Sequence, residues 1–143
     1  MILIARIGKS ASSDPESVLA GHYLKQMKHI KVLEADIRPA NKEKEGIFLL
    51  QATEGFRRIV LDERGRLFTT EEFTEKLNLW QGQGKIAFLI GGSDGHSEKI
   101  HEAADELLSL SPLTFPHKLA YVILVEQLYR AMQITSGHPY HRG

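Results

Sequence analysis

The chain has no cysteine among its 143 residues. That excludes disulfides, zinc–thiolate sites and thiol nucleophiles, and it fits a reducing compartment, so a cytoplasmic protein is expected. An excess of either charge is also missing: 18 basic residues balance 18 acidic ones. A protein that binds free RNA unaided is usually basic, so a large electrostatic RNA surface is not expected. Small cationic groups do occur: Arg6 with Lys9, Lys25 with Lys28 and Lys31, and Arg57, Arg58, Arg64 and Arg66. Each reads first as a solvated face. Long apolar runs are absent as well. The longest, Leu119–Val125, is far below the ~20 residues a membrane helix needs. The N-terminus is apolar for only a few residues and has no basic region before them, so no signal peptide is expected.

The remaining composition, 42% hydrophobic and 25% charged, suits one soluble domain able to bury a core. Apolar patterning predicts strands over Ile2–Ile7, Lys31–Ile37, Arg58–Leu61 and Ile86–Ile90. The last is wholly apolar and therefore central. Helices are predicted after Asp14-Pro15, over Gly46–Thr53, after Thr69 or Thr70, over Ser97–Leu108 and over His117–Ile134. Asp14 before Pro15 is a helix-start signal, and Thr69-Thr70 followed by Glu72 is a capping box. Asp62-Glu63-Arg64-Gly65 reads as a turn closing the third strand. Leu110–Phe115 reads as a short strand or extended segment. Alternation of strands and helices gives an α/β, doubly wound, mostly parallel sheet in one domain, residues 1–143.

Three stretches carry chemical interest. Gly91, Gly92 and Gly95 follow the fourth strand, where α/β proteins place ligand sites. By themselves they are satisfied by a tight strand-to-helix turn. Gly8-Lys9-Ser10 lacks the earlier glycine of a phosphate loop and is rejected as one. Ser111–Pro116, SPLTFP, holds two prolines that stiffen the backbone, so its remaining polar groups could cradle a nucleoside or simply connect two elements. The tail His138–Arg142 combines histidine, tyrosine and arginine, and is either frayed or folded over a ligand. His138 and His141 lack the surrounding ligands of a metal site, and none is expected. His22, His29 and His101 read as surface or capping residues, and His117 as a helix start facing the SPLTFP loop. Glu126 and Arg130 are spaced for an ion pair. The last helix is apolar nearly all round, which suggests cover by a second copy of the chain.

The order LIGG, SLSPLTFPH, EQLYRA and HPYHR, with weaker similarity back to the first strand, resembles the small bacterial SPOUT methyltransferases that methylate N3 of a pseudouridine in 23S ribosomal RNA. The resemblance implies a SPOUT-type sheet with a C-terminal deep trefoil knot, S-adenosylmethionine as cofactor and a homodimer packed through the last helix. It places cofactor contacts at Leu61, Gly92, Ser111, Pro112, Leu113, Thr114, Phe115 and Pro116. It places Tyr140, His141 and Arg142 near the substrate. This chain departs at His96, where the family commonly has an apolar residue, and at Tyr121, where it often has arginine.

The reaction so implied moves a methyl group from a sulfonium to an imide nitrogen that must lose its proton. His141 is the candidate proton acceptor, since imidazole titrates near working pH. Tyr140 would position the base, and Arg142 would stabilise charge on the uracil carbonyls or bind a phosphate. Zero net charge points to the assembled ribosome as substrate. Two alternatives stay open: a non-catalytic ribosome-binding SPOUT module, and a SPOUT methyltransferase with another RNA target. A flavodoxin-like nucleotide binder is disfavoured by the lack of a phosphate loop after the first strand.

Overall fold

A computed structural model describes residues 1–8 and 11–142; Lys9 and Ser10, and with them part of the Arg6–Lys9 group, lie outside the described residues. Five strands and five helices alternate: β1 (Ile2–Ile7), α1 (Pro15–Leu24), β2 (Val32–Ile37), α2 (Lys42–Ala52), β3 (Arg57–Leu67), α3 (Thr70–Gln83), β4 (Ile86–Ile90), α4 (Glu98–Ala103), β5 (Glu106–Ser109) and α5 (His117–Ser136). The sheet order is β2-β1-β4-β3-β5, and every pairing is parallel. A parallel sheet needs cover on both faces, and this one has it.

The period-2 alternation of the strands sorts the core into two layers. Ile2, Ile4, Ile59, Ile86, Phe88 and Ile90 face one layer, with Phe73, Leu77 and Trp80 of α3 and Leu124, Val125 and Leu128 of α5. Leu3, Ala5, Ile7, Val60, Ala87 and Leu89 face the other, with Leu49 of α2 and Ile100 of α4. Each fully buried aliphatic or aromatic side chain contributes about 1.5–3 kcal/mol relative to exposure. β4 is buried along its whole length, as its apolar run predicts.

Local chemistry sets several boundaries. The capping box forms as expected: the Glu72 N–H donates to Thr69 Oγ1 at 3.1 Å, and the Thr69 N–H donates to Glu72 Oε1 at 2.8 Å. Pro15 opens α1. The helix expected from Gly46 starts earlier, because Asn41 Oδ1 accepts from the Lys44 N–H at 2.8 Å and caps α2 at Lys42.

Three expectations are corrected. The helix expected over Ser97–Leu108 ends at Ala103, and the following strand is Glu106–Ser109 rather than Leu110–Phe115. Pairing with β3 outweighs helical periodicity there. The Arg58 N–H donates to Asp105 Oδ2 at 2.8 Å and the Asp105 N–H donates to Arg58 O at 2.9 Å, which turns the chain into the sheet. Asp62–Gly65 does not end the third strand; β3 continues to Leu67. The register shifts inside it, so that Leu61 and Arg66 both pair with Leu108.

The apolar surround of α5 is mostly covered by its own chain. Tyr121, Val122, Leu124, Val125, Leu128 and Tyr129 are buried, packed under α1, α3 and the sheet. Leu119 stays about half exposed. Among the described residues no helix is long and apolar enough to cross a membrane.

The shifted register brings backbones unusually close. A Cβ on Gly65 would lie 2.7 Å from the carbonyl carbon of Leu107 and 2.9 Å from the Leu108 nitrogen. Backbone cannot move aside as a side-chain tip can. Gly65→Ala is therefore expected to destabilise the fold by about 1–3 kcal/mol, the usual cost of overpacking. Urea unfolding measures this, and an unchanged midpoint would show that the crossing is looser than described.

Candidate functional site

The carboxyl ends of β3, β4 and β5 open into a cleft of about 940 Å³. Three loops make its walls: the β3 arch Asp62–Arg64, the Gly91–His96 turn and the segment leading from Leu110 into α5. Leu61, Gly92, Ser111, Leu113, Thr114, Phe115 and Pro116 all line it, as the resemblance places them, but Pro112 does not. His117, the first residue of α5, faces the cleft as expected. Lys42 and Asp94 also line it and were not foreseen. Lys42 is brought there by its place at the start of α2, and no local motif marks it.

The glycine turn is shaped by close approach. A Cβ on Gly92 would meet Ile7 Cγ2 at 3.2 Å and Glu45 Oε1 at 3.3 Å. A larger side chain there must displace β1 or α2, or fill the cleft. Gly95 adopts a φ of +75°, the left-handed region that glycine takes without strain. It closes the turn by donating its N–H to Gly92 O at 3.0 Å.

The arch is pinned from three sides. Asp62 Oδ1 accepts the Arg64 N–H at 2.8 Å, while Asp62 Oδ2 lies 2.7 Å from His101 Nε2 on α4. Ser109 Oγ donates to Glu63 O at 3.1 Å. Thr114 Oγ1 donates to the Glu63 carboxylate, joining the arch to the SPLTFP segment. Ser111 Oγ in turn accepts the Leu113 N–H at 3.0 Å and stiffens that segment. His101 is thus an internal partner of the cleft wall, not the surface or capping residue its isolation in sequence suggests. Burial alone would raise the Asp62 pKa, but hydrogen bonds from Arg64 and His101 outweigh it and hold the carboxyl at about 2.

The two departures from the resembled family have distinct explanations. Tyr121 is buried; its hydroxyl donates to Glu34 Oε2 at 2.6 Å, and the Arg6 guanidinium stacks 3.8 Å above its ring. Arg6 also pairs with Asp36 at 3.4 Å. β1 thus brings a guanidinium beside this position of α5. His96 donates from Nε2 to Leu89 O at 3.2 Å, and its ring packs edge-on to His101.

The tail lies elsewhere. Neither Tyr140, His141 nor Arg142 lines the cleft. Tyr140 packs edge-on to Tyr129 at 4.7 Å and donates to Glu126 Oε1 at 3.0 Å. His141 Nδ1 lies 3.1 Å from Arg130 Nη1, and His141 Nε2 lies 3.0 Å from Glu71 Oε1. Arg130 pairs with Glu126 at 2.7 Å, the ion pair its spacing predicts, and stacks on Tyr140. Burial, then hydrogen bonds with Tyr23 and Glu126, push the Tyr140 phenol well above its usual range. It therefore donates and does not take a proton. Arg142 is exposed. Arg130 stands about 15 Å along α5 from Ala120 at the cleft, at 1.5 Å per residue.

Comparison with known proteins gives the family of the chain. The family model described as "Predicted SPOUT methyltransferase" matches residues 1–141. The "Ribosomal RNA large subunit methyltransferase H" of Thermus thermophilus is 56% identical over 99 residues, covering 69% of this chain and 72% of that protein. The protein of the same name from Paramagnetospirillum magneticum is 41% identical over 150 residues, covering 99% and 98%. Among solved structures, Nep1 of Archaeoglobus fulgidus bound to S-adenosylhomocysteine aligns with a TM-score of 0.45 at 12% identity, over 87% of this chain and 72% of that one.

His96 supplies a pH test. Burial pushes its imidazole from the usual 6.5 down to about 4, with nearby His101 adding to the effect and the Leu89 carbonyl opposing it. The unfolded chain takes up this proton near pH 6.5 and the folded chain only near 4. Stability contributed by the neutral ring is therefore complete above pH 6.5 and is lost as the pH falls towards 4, by at most about 3 kcal/mol. His96→Leu is expected to flatten stability over that window in denaturation curves recorded at several pH values. An unchanged slope would mean that His96 titrates as if solvated.

Proposed function

Because this chain belongs to the SPOUT methyltransferase family, we propose that it transfers a methyl group to N3 of a pseudouridine in 23S ribosomal RNA, on the assembled ribosome in the cytoplasm. The observation that carries the reading is the cleft: main-chain loops from three strands converge on a volume sized for a nucleoside cofactor, and Gly92 lines it with bare main chain, since a side chain there would press on Ile7 and Glu45. In the same reading the C-terminal part of the chain forms the family's trefoil knot around this site.

S-adenosylmethionine, when bound, supplies an electrophilic methyl group on a sulfonium. The residues present fit it. Leu61, Phe115 and Leu113 offer apolar walls, Gly92 offers bare main chain, and Ser111 and Thr114 fix the backbone whose amides and carbonyls would hold the adenosine. Asp62, Glu63 and Asp94 stand at the wall against Lys42 and Arg64, a small negative excess that suits a cationic ligand. Pro112 serves by stiffening the segment, not by contact.

The tail residues handle the proton. His141 accepts the imide proton, Tyr140 holds the base or its neighbour as a donor, and Arg142 meets developing negative charge or a phosphate. Orientation supplies much of the rate. The tail of one chain sits about 15 Å of helix away from its own cleft, so each active site combines the cleft of one subunit with the tail of the other. Leu113 and Leu119 at the cleft rim, and Val18 and Leu19 on the neighbouring α1, are exposed and apolar, which suits cover by that second copy.

The activity is checked by transfer of labelled methyl from S-adenosylmethionine to ribosomes from cells lacking the enzyme, with mapping of the modified nucleotide. Label at a single pseudouridine N3 is expected on ribosomes and little on naked 23S RNA. No incorporation by folded protein would shift the reading to a binding module of this fold.

The shared site is checked by mixing inactive variants. Gly92→Val and His141→Ala should each be inactive alone. Co-refolded together they should recover about a quarter of wild-type activity, since half of randomly formed dimers are mixed and each mixed dimer holds one intact site. Absence of recovery would place tail and cleft of one site in the same chain.

A further inference from the structure

We propose that Glu71 is the positioning residue of the reaction: its carboxylate holds Nε2–H of His141 and so aims Nδ1 of the ring at the imide proton. This deepens the reading above and rests on His141 as proton acceptor.

The tautomer follows from the neighbours. Arg130 lies 3.1 Å from Nδ1, and a guanidinium can only donate. Nδ1 of the neutral ring therefore carries the lone pair. Nε2 then carries the hydrogen, and it faces Glu71 Oε1 at 3.0 Å, a carboxylate that can only accept when ionised. Glu71 stays ionised through the working range, because its own backbone N–H and the His141 ring hold its carboxyl below the usual value. The first turn of α3 adds the favourable end of the helix dipole.

This is the carboxylate–imidazole arrangement of an oriented general base, with the two ring nitrogens exchanged relative to the serine-protease pattern. Arg130 Nη1 stands where the imide N–H would stand. Nη1 must therefore give way when substrate meets Nδ1, and Glu126, which pairs with Nε and Nη2, keeps the guanidinium nearby when it does. In the step itself the N3–H bond would break and Nδ1 would take the proton, while the N3 electron pair bonds the methyl carbon as its bond to the sulfonium sulfur breaks and that pair leaves on the neutral thioether. The ring becomes an imidazolium, with its added charge between Glu71 and the substrate. Both partners belong to one chain, so α3 and the tail enter the shared site together. Glu71 is exposed and lies outside both core clusters, so its removal leaves the core intact.

The test is single-turnover methylation of ribosomes by full-length Glu71→Ala, Glu71→Asp and His141→Ala proteins, with Glu75→Ala as a charge control on the exposed side of α3. Glu71→Ala should lower the methylation rate by roughly 10- to 100-fold, since slight misplacement of a catalytic group costs up to about 100-fold. The KM for S-adenosylmethionine and the affinity for ribosomes should not change. Glu71→Asp should regain part of the rate, and Glu75→Ala should match wild type. Nitrogen-15 spectra should show His141 as the Nε2–H tautomer in wild type and as a mixture in Glu71→Ala. Wild-type rates in Glu71→Ala beside an inactive His141→Ala would overturn the role of Glu71 alone. A rise in KM with an unchanged rate would do the same. Wild-type rates in His141→Ala would instead overturn the assignment of the proton acceptor.

Discussion

The double pairing of β3 with β5 is the constraint on which the rest of the site depends. A strand that meets Leu108 at both Leu61 and Arg66 must arch outward between them. That arch is the cleft wall. It can form only because Gly65 lets two backbones approach to within contact of each other. Once formed, its polar groups need partners, and each comes from a different element: His101 from α4, Ser109 from β5 and Thr114 from the segment before α5. The cleft wall is therefore braced by the chain's own hydrogen bonds, which suits the proposed cofactor cradle by lowering the entropic cost of ordering it.

Polar groups elsewhere follow the same logic. The two buried charges among the described residues both have partners: the Glu45 carboxylate accepts the Ala40 N–H at 3.0 Å, and Arg6 is paired. Arg6 sits between Asp36 and the face of Tyr121, whose hydroxyl is taken by Glu34. Along α5 the polar residues gather at two stations. One is the N-terminal end at the cleft, and the other is the Glu126–Arg130 turn that holds the tail. The helix is stiff and keeps them apart. That separation is the ground for the proposed site shared by two copies, and it is a stronger one than the apolar surround of α5, which one chain already covers for the most part.

Much of the architecture was legible in the residues. β4 is a continuous apolar run, β1 is apolar but for Arg6, and both lie in the sheet interior. Thr69 and Glu72 announce their capping box, and Phe73, Leu77 and Trp80 recur at helical spacing on the buried face of α3. The cleft loops were legible as constrained backbone, because Gly91, Gly92 and the two prolines of SPLTFP restrict the chain wherever they occur, but their chemistry was implied only by the family resemblance. The region from Glu98 to Ser109 was not. Its apolar residues fit helix and strand equally well over so short a span, and the choice was made by hydrogen bonds to β3, from residues far back in the chain. His101 was unreadable for the same reason: its partner, Asp62, is distant in sequence.

Local preference and periodicity are properties of neighbouring residues, so the sequence by itself determined most of the alternation of elements, the capping box of α3, the central strand and the stiff loops at the strand ends. The family resemblance added the identity of residues at the cleft. Tertiary structure alone decided the arch in β3, the early start of β5, the stacking of Arg6 on Tyr121 and the docking of the tail on Glu71, Glu126 and Arg130. Each of these joins groups far apart in the chain, and its energy exists only once the sheet has brought them within a few ångströms.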